Sequence, residues 1–261
     1  MESKRTFWRA LGAVAIIALA SLGMTACDMG VTRRDDVGGG HEPGFMGETL
    51  TLSDQVWLLT WNWDNRVEVP WTGSTGVVGR FYNMHGNIVG TGGSGSIMNG
   101  QLSFSIGTPH SLQTGLRGLF YNDGGPMFYN LQISETNVGF QLLILETTCG
   151  GSMMRGLYGG NIWEEALYIF VDRNVSITGT GRRSVVPCDC WPCNCVRWDG
   201  TCYCGGISIT QNMHLNLRRG WNALHVSMML GGLGGLVGTQ TVNLTFLTGN
   251  PSHLRWVLER L

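Results

Sequence analysis

Apolar side chains recur at every second position in short runs along this chain, and that pattern confines it to β-structure before anything else is weighed. Leu102, Phe104 and Ile106 alternate with Ser103 and Ser105, and Val242, Leu244 and Phe246 alternate with Asn243 and Thr245. Val175-Ser176-Ile177, Ile207-Ser208-Ile209 and Met213-His214-Leu215-Asn216-Leu217 repeat the theme. Successive side chains of a strand point to opposite faces, so each run buries one face and wets the other. Gly, Asn and Pro separate the runs at intervals of roughly 8–12 residues, the spacing of an antiparallel sandwich or barrel. The 40 glycines of the chain act in the same direction, because each costs about 1 kcal/mol relative to alanine inside a helix. The chain therefore reads as all-β, an antiparallel β-sandwich or barrel-like fold. The alternation predicts strands over 55–63, 76–82, 86–91, 101–106, 116–121, 127–134, 138–146, 166–178, 205–217, 221–230, 240–247 and 253–258. Trp163 to Ala166 reads as a single helical turn.

The N-terminal segment has a different character. Lys4, Arg5 and Arg9 form a positive head, followed by an apolar, Ala-rich run from Ala10 to Ala26. That order of charge, apolar core and small residues is the pattern of a secretory signal peptide. The core is about 17 residues long, short for a bilayer span, which takes about 20. It ends Leu22-Gly23-Met24-Thr25-Ala26-Cys27, which resembles the lipobox of bacterial lipoproteins, with Met24 where leucine is usual. The resemblance implies cleavage before Cys27, diacylglyceryl and N-acyl modification of Cys27, and a protein held to a bacterial membrane outside the cytoplasm. Each buried methylene is worth about 0.8 kcal/mol and stable anchoring takes two or more chains, a condition that this modification meets.

Three regions follow from this reading: a signal peptide 1–26, a flexible tether 27–48 and a β-rich domain 49–261. The stretch 28–48 has no apolar periodicity and contains Gly38-Gly39-Gly40 and Pro43. As a flexible chain it would span roughly 25 Å, enough to lift a domain off the lipid headgroups. An internal echo aligns Leu102–Leu112 with Leu244–Leu254, which suggests two modules, 49–148 and 149–261. Segments 167–179 and 207–222 loosely resemble uncharacterised β-rich bacterial surface lipoproteins, a resemblance that brings no activity with it. It does place 180–205 as an insertion in the loop of a hairpin.

Composition narrows the partners. The signal segment carries Glu2, Lys4, Arg5 and Arg9, so its removal takes the formal charge to about −3. A nucleic-acid surface would be basic and clustered, so no nucleic-acid partner is expected. Lys4 is the only lysine, which excludes a P-loop lysine and Schiff-base chemistry from the mature chain.

Residues 188–204 hold six cysteines: Cys188, Cys190, Cys193, Cys195, Cys202 and Cys204. Outside the cytoplasm disulfides persist, and this density calls for covalent or metal cross-linking. A thiolate metal site is the rival reading. The insertion lacks histidine, however, and its C-x-C spacing is tighter than structural zinc sites use, so no metal is expected. Cys190-Trp-Pro-Cys193 has the spacing of a redox dithiol, but no thioredoxin-like βαβ pattern surrounds it. Asp199-Gly200 is the favoured dipeptide of a two-residue type I′ hairpin turn. Centring the hairpin there places Cys195 opposite Cys204 as a non-hydrogen-bonded pair, about 4.5 Å apart at Cα and within disulfide range. The expectation is a Cys195–Cys204 bridge, with three pairings open among Cys188, Cys190, Cys193 and Cys202.

Trp57, Leu59, Trp61 and Trp63 share one face at strand spacing. A sugar-stacking platform needs such planes, and so does an aromatic core, the commoner use. The six histidines are scattered, with His214 and His225 on strands and His85, His110 and His253 near turns. Glu164 and Glu165 are strand neighbours pointing to opposite faces, which makes them poor acid–base partners. Cys149 follows an apolar strand and reads as a buried, inert thiol. HExxH, EF-hand and G-x-S-x-G motifs are absent from the sequence. The expectation is a protein that is not an enzyme and carries no cofactor. It would be a lipid-anchored structural, adhesive or ligand-binding surface module of the cell envelope, with the membrane and a glycan or protein ligand as its partners. Two alternatives are a carbohydrate-binding lipoprotein using Trp57, Trp61 and Trp63, and a metal-binding or redox lipoprotein using residues 188–204.

Overall fold

The computed structural model describes residues 44–62, 65–83, 87–122, 125–126, 130–159, 162–185, 207–231 and 240–259. Cys27, Trp63 and the cysteines from Cys188 to Cys204, with the Cys195–Cys204 pairing, lie outside them, as does His85. The strands are β1 (Phe45–Gly47), β2 (Leu50–Asn62), β3 (Asn65–Pro70), β4 (Thr75–Tyr82), β5 (Ile88–Met98) and β6 (Gln101–Ile106). Next come β7 (Tyr121–Asn122), β8 (Gly125–Pro126), β9 (Gln132–Ile133), β10 (Phe140–Thr147), β11 (Ser152–Gly159) and β12 (Ile162–Val171). The last five are β13 (Val175–Val185), β14 (Ile207–Leu217), β15 (Gly220–Gly231), β16 (Gln240–Thr248) and β17 (Arg255–Glu259). The chain is all-β, and most of the strands join one large mixed sheet.

Part of that sheet closes on itself. Hydrogen-bonded neighbours run β10-β4-β5-β6-β2-β17-β11, and β11 pairs back onto β10 through Leu145↔Met153 and Glu146↔Ser152. Inside this ring sits the first core, built from alternate residues such as Leu52, Val56, Phe104, Leu143, Trp256 and Leu258. Beyond the short β10–β11 contact, β12 takes over as the neighbour of β10 through Phe140↔Val171 to Leu143↔Tyr168. From β12 the sheet continues through β15, β16, β14 and β13 around a second core that includes Ile169, Ile177, Leu215, Val226 and Leu244.

The strands shared by both cores are buried on both faces. In β10, Leu143 and Leu145 face the first core while Phe140, Leu142 and Ile144 face the second. In β12, Tyr168 and Phe170 belong to the first and Leu167, Ile169 and Val171 to the second. This burial explains why FQLLIL (140–145) and ALYIFV (166–171) read as continuous apolar runs and not as alternations.

Several expectations change. The 116–121 strand is a 3-10 helix, Leu116–Phe120, because Leu116 and Leu119 at helical spacing, with Phe120, all reach the second core. Trp163 to Ala166 lies within β12, where Trp163 and Ala166 are buried, and forms no helical turn. The run 166–178 breaks at Asp172, whose carboxylate accepts a hydrogen bond from the Gly139 N–H at 3.0 Å, and resumes as β13. The sheet is not purely antiparallel. β16 inserts between β15 and β14 and runs parallel to β14, and β17 runs parallel to β2. The hairpin pairing of β13 with β14, from Val175↔Leu217 to Val185↔Ile207, brackets the cysteine-rich segment.

Backbone geometry accounts for two glycines in the ring. Asn99 (φ 50°) and Gly100 (φ 79°) join β5 to β6 across Met98↔Gln101, the left-handed pair of a type I′ turn. Gly93 (φ 69°) is the extra residue of a bulge, since Gly79 pairs with Gly92 but Val78 pairs with Ser94.

Candidate ligand-binding site

The parallel register of β14 with β16 assembles a site that no single stretch of sequence displays. Thr180, Asn212, Thr245, Ser227 and Glu164 form one row across β13, β14, β16, β15 and β12. Thr178, His214, Leu247, His225 and Ala166 form the next, and Arg182, Thr210, Asn243, Met229 and Ile162 a third. All of them lie on the face opposite the second core, because their strand neighbours Ile177, Met213, Leu244, Val226 and Leu167 point into it. Arg182 and Glu164 are the charged members of these rows, and most of the others carry hydroxyl, amide or imidazole groups.

An open cleft of about 230 Å³ lies at one end of the face, lined by His214, Asn216, His225, Leu247, Thr248 and Gly249. His214 is exposed and its Nε2 lies 3.2 Å from Asn216 Nδ2. The Asn216 backbone N–H donates to Thr248 Oγ1 at 2.7 Å, tying β14 to the end of β16. His225 is 8% exposed, and its Nε2 has no hydrogen-bond partner. Its closest carboxylate oxygen, Glu164 Oε1, is at 3.5 Å, within Coulombic reach but without directed hydrogen-bond geometry.

Glu164 has a second imidazole neighbour. His253 Nε2 contacts Glu164 Oε2 at 2.5 Å, and the His225 and His253 rings meet edge to face with centroids 6.5 Å apart. The His225 imidazole first, and His253 after it, hold the Glu164 carboxyl down to about 2, although burial works the other way. His253 arrives on the 249–254 connection, which Arg155 secures. Its Nη1 donates to Asn250 Oδ1 at 2.8 Å and to Tyr168 Oη at 3.4 Å, and its Nε donates to the Leu254 carbonyl at 3.4 Å.

Glu165 points the other way, toward the second core, and is 3% exposed. Burial pushes its carboxyl up to about 8, so it is protonated at neutral pH. Two adjacent carboxyls are thus displaced in opposite directions on opposite faces of one strand, so they do not act on a common ligand.

The other residues singled out from the sequence lie elsewhere. Trp57 is half-buried on the outer face of β2, the first core taking Val56 and Leu58 from the opposite face. The Arg255 guanidinium stacks 4.5 Å from the Trp57 ring centroid, occupying one of its planes. The backbone of Trp61 pairs with Arg66 in the β2–β3 hairpin. Cys149 is exposed, not buried, in the turn after β10, where Thr75 Oγ1 donates to its Sγ at 3.4 Å. Among the described residues, no group of three or more His, Cys, Asp or Glu side chains is arranged to hold a metal ion.

Sequence reasoning missed the convergence of His214, His225, His253 and Glu164. The sequence places His214 and His225 on strands and His253 near a turn, but the intervening β16 and the 249–254 connection bring the group together. No protein-family model, curated protein or solved structure matches this chain.

Proposed function

We propose that this protein is a lipid-anchored, non-catalytic surface module of a bacterial cell envelope, whose β-domain presents a ligand-binding face outside the cytoplasm. The observation that carries the reading is the order of features in the sequence. A basic head and an apolar run end at Cys27, a glycine-rich stretch without apolar periodicity follows, and the first strand among the described residues is Phe45–Gly47. Acyl chains on Cys27 hold the chain to the lipid, while the tether leaves the β-domain free to meet ligands. The open face built from β13, β14, β16, β15 and β12 supports the binding half of the reading, because its hydroxyl, amide and imidazole groups are suited to recognition. Within that architecture the cysteine-rich insertion is a disulfide-stapled hairpin projecting from the end of β13 and β14.

Membrane fractionation of wild type and Cys27→Ala tests this. Wild type partitions into membranes and the alanine variant becomes soluble with its β-structure intact by circular dichroism. Complete membrane partitioning of the variant would overturn the anchor.

A further inference from the structure

We propose that the cleft between His214 and His225, together with the adjoining Thr180–Asn212–Thr245–Ser227 row, binds a neutral polyhydroxylated ligand, a glycan strand. This deepens the binding-module reading above and rests on it. Three observations converge on that chemistry.

The first is charge. Across β13, β14 and β16 the two rows nearest the cleft present Thr178, Thr180, Asn212, His214, Thr245 and Leu247, with no carboxylate, guanidinium or ammonium among them. Within these six residues a charged polymer would find no counter-charge, and the charged groups of the face, Arg182 one row further along β13 and Glu164 on β12, stand at its margins. The carboxylate at the far side, Glu164, is already engaged by two imidazoles, His253 at one oxygen and His225 3.5 Å from the other.

The second is the pattern of donors and acceptors. Neighbouring strands are about 4.8 Å apart and same-face residues about 6.6 Å apart along a strand. The rows are therefore a grid of groups that both donate and accept, as sugar hydroxyls do. Leu247, between the two imidazoles in its row, adds an apolar contact for the C–H face of a sugar ring.

The third is His225. Its ring lines the cleft, its side chain is about nine-tenths buried, and its Nε2 makes no hydrogen bond, its nearest acceptor being Glu164 Oε1 at 3.5 Å, an ion-pair contact without hydrogen-bond geometry. Buried polar atoms in folded proteins are nearly always partnered, and a ligand hydroxyl entering the cleft would supply the partner.

The test uses the detergent-solubilised full chain. It is titrated calorimetrically with neutral hexasaccharides of β-1,4-glucose, α-1,4-glucose, mannose and N-acetylglucosamine, and with hyaluronan and heparin hexasaccharides as charged probes. Binding of at least one neutral probe is expected. Affinity should fall about tenfold in His214→Ala and in Asn212→Ala, which remove exposed side chains, and stay unchanged in Trp57→Ala. Three results would overturn the proposal: no neutral probe binds, only charged probes bind, or Trp57→Ala abolishes binding that His214→Ala leaves intact. Fractionation of the same preparations separates the two readings. Membrane retention that depends on Cys27, with no glycan bound, leaves the anchored module standing and removes only the glycan. Retention that is independent of Cys27, with neutral-glycan binding at His214, does the reverse.

Discussion

Replacing Glu165 by glutamine removes a carboxyl that the fold buries without an ion-pair partner among the described residues, and the consequence is a specific pH profile. Burial raises the folded-state value from an ordinary 4.5 to about 8. A group raised on folding contributes stability that is complete below its unfolded value and is lost as pH rises through its folded value. Below about pH 4.5 the carboxyl is protonated in both states. Between there and about pH 8 the unfolded chain ionises while the folded chain stays protonated, and unfolding gains accordingly. The displacement corresponds to about 5 kcal/mol over the whole interval, or about 1.4 kcal/mol for each pH unit within it. Urea denaturation of wild type and Glu165→Gln at pH 5, 6, 7 and 8 reads this directly. Wild type should lose about 4 kcal/mol between pH 5 and 8, and the variant should lack that slope. The buried amide of the variant costs about 1–3 kcal/mol at every pH, which shifts its curve without tilting it. Equal slopes for the two proteins would refute the reasoning, because they would mean that Glu165 is solvated or paired in the folded state.

Glu164 should act at the other end of the scale. Its folded value of about 2 lies below the ordinary 4.5, so it contributes stability above pH 4.5 that is lost as pH falls toward 2. Glu164→Gln should remove about 1–2 kcal/mol of that acid-side loss, after allowance for solvent screening, in denaturation curves taken from pH 5 to 2.5. Gly93→Ala forces a side chain onto a φ of 69° and places a Cβ 2.6 Å from Phe104 Cζ; it should destabilise the ring by about 2 kcal/mol or more, measured as a lowered urea midpoint. Peptide mapping under non-reducing conditions should recover Cys195 linked to Cys204, and Cys195 bonded to any other cysteine would contradict the hairpin register.

How far the fold can be read from the sequence depends on how each strand is buried. Gln101–Ile106, Ile207–Leu217 and Gln240–Thr248 bury one face each, so their alternation locates them closely. β11 escapes notice because Gly156 and Arg155 interrupt its apolar pattern, although it closes the ring between β17 and β10. β12 reads as a helical turn followed by a strand because both of its faces are packed and no period survives. At Leu116–Phe120 an apolar spacing compatible with either period belongs to a 3-10 turn, and Gly115 with φ 82° leads into it. The candidate site was the least legible part. Individual polar residues on strands were visible, but their convergence depends on β16 lying between β14 and β15. It also depends on Arg155, nearly 100 residues from Asn250 in sequence, holding the loop that carries His253. Alternation reports which face a residue occupies; it carries no information about which strand lies beside it.

Mass spectrometry of the N-terminal peptide of the mature protein, purified from membranes, tests the central claim most directly. The account predicts a chain that begins at Cys27 and carries a diacylglyceryl group and an amide-linked acyl chain, all of it absent from the Cys27→Ala variant. A mature protein that retains residues 1–26, or that begins at another residue without lipid, would contradict it.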